Sequence, residues 1–290
     1  MYRVPGPTAL RLLATALLLA PFLAVPSAHA AQPVRAVHPV RTVPASARAV
    51  SARRPALVFD EEFGAARWGR RGAVWSDRTT AYPDGFSDPG NAKLDRVQPA
   101  AMTVSGGLLH LTATAGTARG PWRTGLLTTE PWHGGVLGGD GFQLRTGDYA
   151  VVRLRLPSRQ DGGGHGAWPG VWTWRGGNEV DLMEWHSETP DIIELTNHAR
   201  GAGSQACVHS PLVNFGRWIT VGVRFGATAV SWYLGDDSHP LRPATQDRLG
   251  VGPSWHAYLI ANLSVSAQPG RFPTATRPIT MAIDRIQVYR

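Results

Sequence analysis

Short runs in which apolar and polar residues alternate recur along the chain, and no long stretch has the periodicity of an amphipathic helix. Residues 149–156, "YAVVRLRL", place Val152, Leu154 and Leu156 on one side with arginines between them, and "WITVGVRF" (218–225) alternates in the same way. A period of two is typical of strands that bury one face. Further strands are expected at 108–114, 191–198, 230–234, 258–265 and 279–289.

Glycine, proline and aspartate punctuate these runs every few residues, as turns between strands require. A parallel sheet would need helices between its strands, and the pattern does not provide them. The sequence therefore predicts an all-β fold, an antiparallel sandwich of the jelly-roll type. Residues 56–290 are numerous enough to enclose one hydrophobic core, and we expect them to form a single domain.

The first thirty residues have the features of a secretory signal peptide. Arg3 and Arg11 give a positive start, "LLATALLLAPFLAV" gives a short apolar core, and "SAHA" predicts cleavage after Ala30. A retained membrane anchor is the weaker alternative, because a span needs about 20 apolar residues and prolines interrupt this run. We therefore expect an exported protein with no membrane span.

Residues 31–55 are rich in proline, alanine and arginine and contain no aromatic or acidic residue, so we expect a disordered tail. Residues 1–55 hold seven arginines and no acid, and the rest of the chain has 22 basic and 21 acidic residues. The folded part thus has a net charge near zero, which argues against a nucleic-acid partner. Cys207 is the only cysteine, which excludes an intramolecular disulfide. We also expect the protein to be a monomer.

A cluster of like charge stands out in "NEVDLMEW" (178–185), which places Glu179, Asp181 and Glu184 within six residues. Because side chains alternate along a strand, Glu179 and Asp181 share one face, whereas the three-residue step to Glu184 has the wrong parity. One extra residue in a β-bulge at 182–183 would bring all three carboxylates to one face. The spacing therefore predicts a bulge.

Tryptophans precede this acidic segment. In an extended "HGAWPGVWTW", Trp168, Trp172 and Trp174 share one face. Glycoside hydrolysis needs two carboxyl groups, one ionised and one protonated, and aromatic rings suit the apolar faces of sugars. A third acid such as Asp181 raises the pKa of its neighbours by like charge. The alternative interpretation is a tryptophan-rich core strand that ends in a solvated, charged turn.

A series of short motifs runs through residues 57–290. They are "LVFDEEFG" (57–64), "GGLLHLTA" (106–113), "TGDYAVVRLRLP" (146–157), "AWPGVW" (167–172), "EVDLME" (179–184), "NHA" (197–199), "ANL" (261–263) and "MAIDRIQVYR" (281–290). In content and order they resemble glycoside hydrolase family 16, within it the laminarinase-like branch of endo-β-1,3-glucanases. The resemblance implies a concanavalin-A-like β-jelly roll of two curved antiparallel sheets, with the substrate cleft on the concave face.

The resemblance also implies a role for each acid. Glu179 matches the nucleophile, Glu184 the general acid/base, and Asp181 the helper that tunes the nucleophile. Members of the family retain the anomeric configuration, so a glycosyl-enzyme ester on Glu179 is implied, and no cofactor takes part in the chemistry.

Four further positions match residues of the family's cleft: Trp168, Trp172, His198 and Asn262. The resemblance implies that they bind the polysaccharide substrate. Two alternatives stay open, because Trp172 could belong to the core between the sheets and a lone histidine such as His198 is often a structural hydrogen-bonding residue.

Many members of the family hold a structural calcium ion far from the cleft. Asp284 in "AIDRIQ" matches the aspartate that binds it, and the neighbourhoods of Glu62 and Gly107 match the two other contributors. Backbone oxygens supply part of this ligand set, so it has little sequence signature.

One departure concerns a cleft arginine that the family often has in S-G-R-[IL]-x-T. This chain reads "TGLLTT" (124–129), with Leu126 at that position. Either Arg123 substitutes for the missing side chain or the contact is absent.

The leading hypothesis is a secreted, retaining endo-glycosidase that hydrolyses β-1,3 or mixed β-1,3/1,4 glucan. A hydrolase or transglycosylase that acts on another polysaccharide, such as a galactan, would keep the same acids. A non-catalytic carbohydrate-binding protein on the same fold is the alternative of a different class, and such proteins usually lose the glutamates that are present here.

Overall fold

A computed structural model describes residues 55–290 except 66, 69–71, 132–137 and 202. The predicted signal peptide and all but the last residue of the predicted tail lie outside the described residues. The strands are β1 (Leu57–Glu61), β2 (Asp95–Val97), β3 (Met102–Ser105), β4 (Leu108–Ala113), β5 (Trp122–Thr124), β6 (Leu126–Thr128), β7 (Gln143–Arg145), β8 (Tyr149–Arg155), β9 (Ala167–Trp174), β10 (Val180–Trp185), β11 (Ile192–Asn197), β12 (Ser204–His209), β13 (Trp218–Phe225), β14 (Val230–Gly235), β15 (Arg242–Asp247), β16 (His256–Val265) and β17 (Ile279–Tyr289).

Two antiparallel sheets form the sandwich. One has eight strands in the order β15-β14-β13-β8-β17-β4-β3, with β1 also paired to β17. The other has seven strands in the order β12-β11-β10-β9-β16-β6, with β7 also paired to β16. A short pair formed by β2 and β5 is parallel, which the alternation of residues did not predict. The remaining regular elements are 3-10 turns at Pro89–Asn91, Pro99–Ala101, Asp161–Gly163 and Ala199–Gly201.

The core lies between the facing surfaces of the two sheets. In β8, Val152 and Leu154 are fully buried, and in β13 the same holds for Ile219 and Val223, as the alternation predicts. The other predicted strands are found as β4, β11, β14, β16 and β17. Among the described residues, no helix is long and apolar enough to cross a membrane.

Strand β16 organises the second sheet. It pairs with β9 along residues 258–265, and its other edge pairs with β6 and β7. Eight of its ten residues are buried, so its backbone groups are held on both sides. Because β9 pairs in turn with β10, the acidic strand lies inside the sheet and not at its edge.

Candidate active site

The acidic segment forms β10 and the turn before it. Between Asp181 and Glu184, three steps along β10 match two steps along β9 and two along β11. One residue is therefore extra at 182–183, which is the predicted β-bulge. Val180 and Trp185 enter the core, while Glu184 turns to the side on which it meets the tryptophans.

A tryptophan from the opposite sheet supports the bulge. Trp232 of β14 is buried, and its indole Nε1 donates a 2.9 Å hydrogen bond to the backbone oxygen of Asp181. A bulge disrupts the ladder locally, and a buried carbonyl needs a partner. The opposite sheet thus helps to fix the position of the acidic strand.

Strands β9 and β16 complete the wall beside β10. Residues directly opposite in antiparallel strands share a face, and Gly170 lies opposite both Glu184 and Asn262. A Cβ at Gly170 would come within 3.2 Å of the Asn262 amide oxygen, so glycine keeps this surface open. The cavity on this face has a volume of about 190 Å³. Its described lining is Ala81, Asp88, Asn91, Lys93, Trp168, Gly170, Trp172, Trp174, Glu179, Glu184, Asn262 and Ser264.

Glu184 is a half-buried acid with a tryptophan partner. The indole Nε1 of Trp168 donates a 2.8 Å hydrogen bond to Glu184 Oε1. Burial and the charge of Asp181 raise the pKa of Glu184 to about 8, although Lys93 and the Trp168 hydrogen bond act in the opposite direction. This carboxyl group therefore holds its proton at neutral pH.

Glu179, Asp181 and His198 form a cluster next to Glu184. Their carboxylate oxygens and imidazole nitrogen lie within 4.8 Å of one another. This is the one group of three such side chains found among the described residues. His198 Nε2 is 3.5 Å from Asp181 Oδ2, and this contact raises the pKa of the imidazole. Burial and the Asp181 charge raise the pKa of Glu179 to about 7. The pKa values of both glutamates are therefore raised, and Asp181 contributes to both shifts.

Asn262 belongs to a buried polar network. Its Oδ1 accepts a 2.8 Å hydrogen bond from Trp172 Nε1, and its Nδ2 donates to Tyr82 and to Ser264. Asp95 accepts from both of those hydroxyl groups. Trp172 itself is 7 % exposed and packs in a small apolar cluster, so it is partly a core residue and partly lines the cavity.

Solved structures with the same fold include glucanases. The endo-β-1,3-glucanase from Pyrococcus furiosus matches with a TM-score of 0.63 at 20% identity, over 80% of this chain and 93% of that chain. The laminarinase catalytic domain from Thermotoga maritima matches with a TM-score of 0.62 at 22% identity, over 81% and 98%. The fold is that of the laminarinase-type glucanases. The predicted jelly-roll fold is confirmed, and these matches support the resemblance to glycoside hydrolase family 16.

A curated sequence relative agrees with this assignment. The endo-1,3-1,4-β-glycanase EglC of Rhizobium meliloti is 24% identical over 229 residues, which are 74% of this chain and 42% of that protein. The chain thus spans less than half the length of this relative. No protein-family model matches the chain.

At Leu126 this chain lacks the arginine of the family pattern that its sequence resembles. Leu126 is fully buried and packs with Tyr82 and Trp172 under the cavity. Arg123 lines a different pocket, so it does not replace the arginine that the family often has here. Lys93 is the one cation among the described residues that line the cavity.

Sequence reasoning missed Lys93, Asp88 and Tyr82. No apolar alternation surrounds them. Lys93 and Asp88 line the cavity, Tyr82 accepts a hydrogen bond from Asn262 of β16, and Leu94 is hydrogen-bonded to Val265 at the end of that strand. A signal was nevertheless present, because Lys93 is the only lysine among 29 basic residues.

The residues of the predicted calcium site lie on neighbouring segments, where β17 changes partners. β4 pairs with β17 up to Ile283, and β1 pairs with it from Ile286, so Asp284 lies between the two segments. Glu62 follows β1 and Gly107 precedes β4, which places both next to this junction. The Asp284 carboxylate is 2.9 Å from Arg153. The cluster of Glu179, Asp181 and His198 in the cleft contains none of these residues, so it does not support calcium binding at the junction.

Proposed function

We propose that this chain is a secreted, retaining endo-β-glucanase of family 16 that hydrolyses β-1,3 or mixed β-1,3/1,4 glucan. The observation that carries the proposal is geometric: Glu179 and Glu184, at the start of a bulged strand and within it, line one cavity together with Trp168, Trp172 and Trp174, and burial and Asp181 raise the pKa of both glutamates. The names of the relatives, an endo-β-1,3-glucanase, a laminarinase and an endo-1,3-1,4-β-glycanase, support this choice of substrate.

Glu184 is proposed as the general acid because it keeps its proton at neutral pH. Its proton passes to the glycosidic oxygen of the leaving sugar, while the Glu179 carboxylate attacks the anomeric carbon and forms an ester. Glu184, now ionised, then takes a proton from the water that attacks the ester. The sugar leaves with its original configuration, and both glutamates return to their starting states.

Asp181 is proposed to disfavour the ionised form of both glutamates. It is 2 % exposed, and its charge raises the pKa of both. His198, 3.5 Å away, offers a partially compensating positive charge when protonated. His198 is therefore proposed to act on the acid cluster from the rim of the cleft, since about half of its side chain is exposed.

Trp168, Trp172 and Asn262 are proposed as substrate-binding residues. Trp168 joins the sugar-binding wall to the acid through its hydrogen bond to Glu184. Asn262 fixes the orientation of the Trp172 indole, so its contribution to binding comes partly through that ring.

Three properties of the whole protein are part of the proposal. Residues 1–30 are removed as a signal peptide on export, residues 31–55 form a tail, and residues 56–290 form the catalytic domain. The mature protein acts outside the cell as a monomer.

A structural calcium ion is proposed at the junction on β17. Oxygen donors suit calcium, and Asp284 with the backbone at Glu62 and Gly107 offers oxygens only. Arg153 does not oppose this, because its guanidinium also makes a bidentate pair with Asp237, at 2.9 and 2.8 Å, and stays paired when Asp284 turns to the ion. The ion would tie β1, β4 and β17 together and take no part in the reaction.

Incubation of the mature chain, 31–290, with laminarin, lichenan, agarose and carrageenan tests the function. Reducing ends are expected from laminarin and lichenan, and Glu179→Gln is expected to release none. Release of reducing ends from agarose or carrageenan instead would identify a galactan hydrolase. Products longer than the substrate would identify a transglycosylase. Binding of a polysaccharide without release of reducing ends would identify a carbohydrate-binding protein. Proton NMR of the first product tests retention, since early appearance of the inverted anomer contradicts the ester intermediate.

A further inference from the structure

The single lysine of the chain lies in the cleft. Every other basic position among the 29 carries arginine, yet Lys93 occurs where the cavity holds Glu184 and the tryptophans. Its side chain is 9% exposed. The mechanism above does not use this cation.

The backbone directs Lys93 inward. A 3-10 turn at Pro89–Asn91 ends in Ala92, which has left-handed torsion angles of φ 52° and ψ 48°. Residues other than glycine rarely adopt this conformation. Leu94 N then donates a 2.8 Å hydrogen bond to Val265 O at the end of β16, which anchors the lysine segment to the cleft wall.

Aromatic rings surround the ammonium group, and the carboxyl groups of Asp95, Asp88 and Glu184 act on its charge. Lys93 Nζ lies 4.8 Å from the centre of the Trp168 indole, 5.2 Å from the Tyr82 ring and 5.9 Å from the Trp172 indole. Its ion-pair partner within the described part of the chain is Asp88, whose Oδ2 is 3.4 Å away and also accepts from Asn91. An ammonium carries three N–H donors, so this arrangement leaves donors for an acceptor in the cavity.

We propose that Lys93 is a substrate-binding residue that donates hydrogen bonds to the hydroxyl groups of an uncharged sugar beside Glu184. The proposal deepens the function proposed above and rests on that function for the nature of the ligand. A sugar whose hydroxyl edge points to the buried end of the cavity meets the ammonium, while the tryptophans contact its apolar surface.

The charge of the cavity favours an uncharged polysaccharide. Its described lining contains three acids, Asp88, Glu179 and Glu184, against Lys93 alone. The lysine charge is already balanced by Asp88, so the described lining offers no unpaired positive charge to a sulfated or uronate-bearing chain. A site built for an anionic sugar would need unpaired positive charge.

The lysine side chain suits this position better than arginine does. Its head is a compact charge with three rotatable donors, whereas a guanidinium is a planar fork that matches carboxylates and phosphates. Hydroxyl groups of a sugar present single acceptors in several directions, and the space between Trp168 and Tyr82 is enclosed by rings.

Because the chain has one lysine, isotopic labelling of lysine at Cε gives one side-chain NMR signal, and no assignment is needed. The full chain carrying Glu179→Gln is titrated with laminarihexaose, with agarohexaose as a neutral galactan and with a sulfated carrageenan hexasaccharide. Tryptophan fluorescence reports binding independently. We expect a saturable shift of the Lys93 signal with a neutral hexasaccharide and none with the sulfated one.

Each other outcome overturns the proposal. A fluorescence change without a shift of the lysine signal would show that sugars bind away from Lys93. A shift with the sulfated sugar alone would show an anion site. If none of the three sugars bound, Lys93 would have no sugar ligand. Hydrolysis by the unmodified chain separates this proposal from the proposed function. Cleavage of laminarin with an unmoved lysine signal refutes only the role of Lys93, and a moved signal without cleavage refutes only the hydrolysis.

Variants give a second measurement. In the Glu179→Gln background, Lys93→Met is expected to weaken laminarihexaose binding by about ten- to a hundred-fold, as for the loss of hydrogen bonds from a charged donor. Lys93→Met with Asp88→Asn keeps the charge balance and should show the same loss. Arg96→Met is the control on the same segment, because the Arg96 side chain is exposed and pairs with Asp84. Unchanged binding in both lysine variants would refute the proposal.

Discussion

Replacing the half-buried acid Glu184 by glutamine is expected to stabilise the folded chain at alkaline pH while it abolishes hydrolysis. Glutamine has nearly the shape of a protonated glutamate, and its Oε1 can still accept the hydrogen bond from Trp168 Nε1. The substitution therefore changes little except the ability to ionise. What it removes is a charge that burial and Asp181 both disfavour.

The magnitude follows from the pKa of this group. The folded chain raises the pKa of Glu184 to about 8 from 4.5. At about 1.4 kcal/mol per pKa unit, the whole difference corresponds to about 5 kcal/mol. Partial relaxation around a buried charge reduces this, so we expect a gain of the order of 3–5 kcal/mol for Glu184→Gln at high pH.

The sign comes from proton linkage. Below pH 4.5 the carboxyl group is protonated in both states, and it does not disfavour folding. As the pH rises towards 8, the unfolded chain releases this proton first, so the free energy of unfolding falls. Glutamine does not titrate, and its advantage should grow from near zero at about pH 4.5 to its full value at about pH 9.

Urea unfolding of the original chain and of Glu184→Gln at these two pH values measures the effect. Glu62→Gln is the matched control, because the Glu62 side chain is 66% exposed and forms a surface ion pair with Arg285, at 3.0 Å. The reasoning is refuted if the glutamine variant gains no more stability at high pH than at low pH, or if the control shows an equal gain.

Three further predictions concern Asp181, the tryptophan that bonds to the bulge, and the proposed calcium site. Asp181→Asn removes the charge that raises the pKa of both glutamates, so the alkaline limb of kcat/KM should move to lower pH by about one unit, and an unmoved limb would refute the role of this acid. Trp232→Phe removes the hydrogen bond to the bulge and should lower both the activity and, by about 1–3 kcal/mol, the free energy of unfolding. Trp218→Phe on the outer face is the control, and equal losses in the two variants would argue against a specific role of Trp232. Calcium should raise the Tm of the original chain above its value in chelator, and this difference should vanish in Asp284→Asn; equal Tm values in calcium and chelator would remove the calcium site.

The sequence predicted the bulge because parity is a local property. Glu179, Asp181 and Glu184 can share one face only if a residue is added, and this conclusion needs no knowledge of the neighbouring strands. The strands β8 and β13 were predictable for the same reason, since their buried residues alternate with exposed ones.

Long-range contacts were not predictable from local patterns. Nothing near Trp232 in the sequence indicates that its indole reaches across the core to Asp181. Lys93 likewise enters the cleft because Leu94 is tied to the end of β16, which is remote in sequence. The parallel pairing of β2 with β5 also depends on how distant segments meet.

Azide rescue tests the central claim most directly, because it asks separately what each glutamate does. The substrate is an aryl β-laminaribioside, whose leaving group needs no acid. In Glu179→Ala, azide can enter the space of the lost nucleophile, and the account predicts an α-glycosyl azide. In Glu184→Ala, azide attacks the ester on Glu179, and the account predicts a β-glycosyl azide. A β-azide from the Glu179 variant, or an α-azide from the Glu184 variant, would contradict the assignment of the two roles.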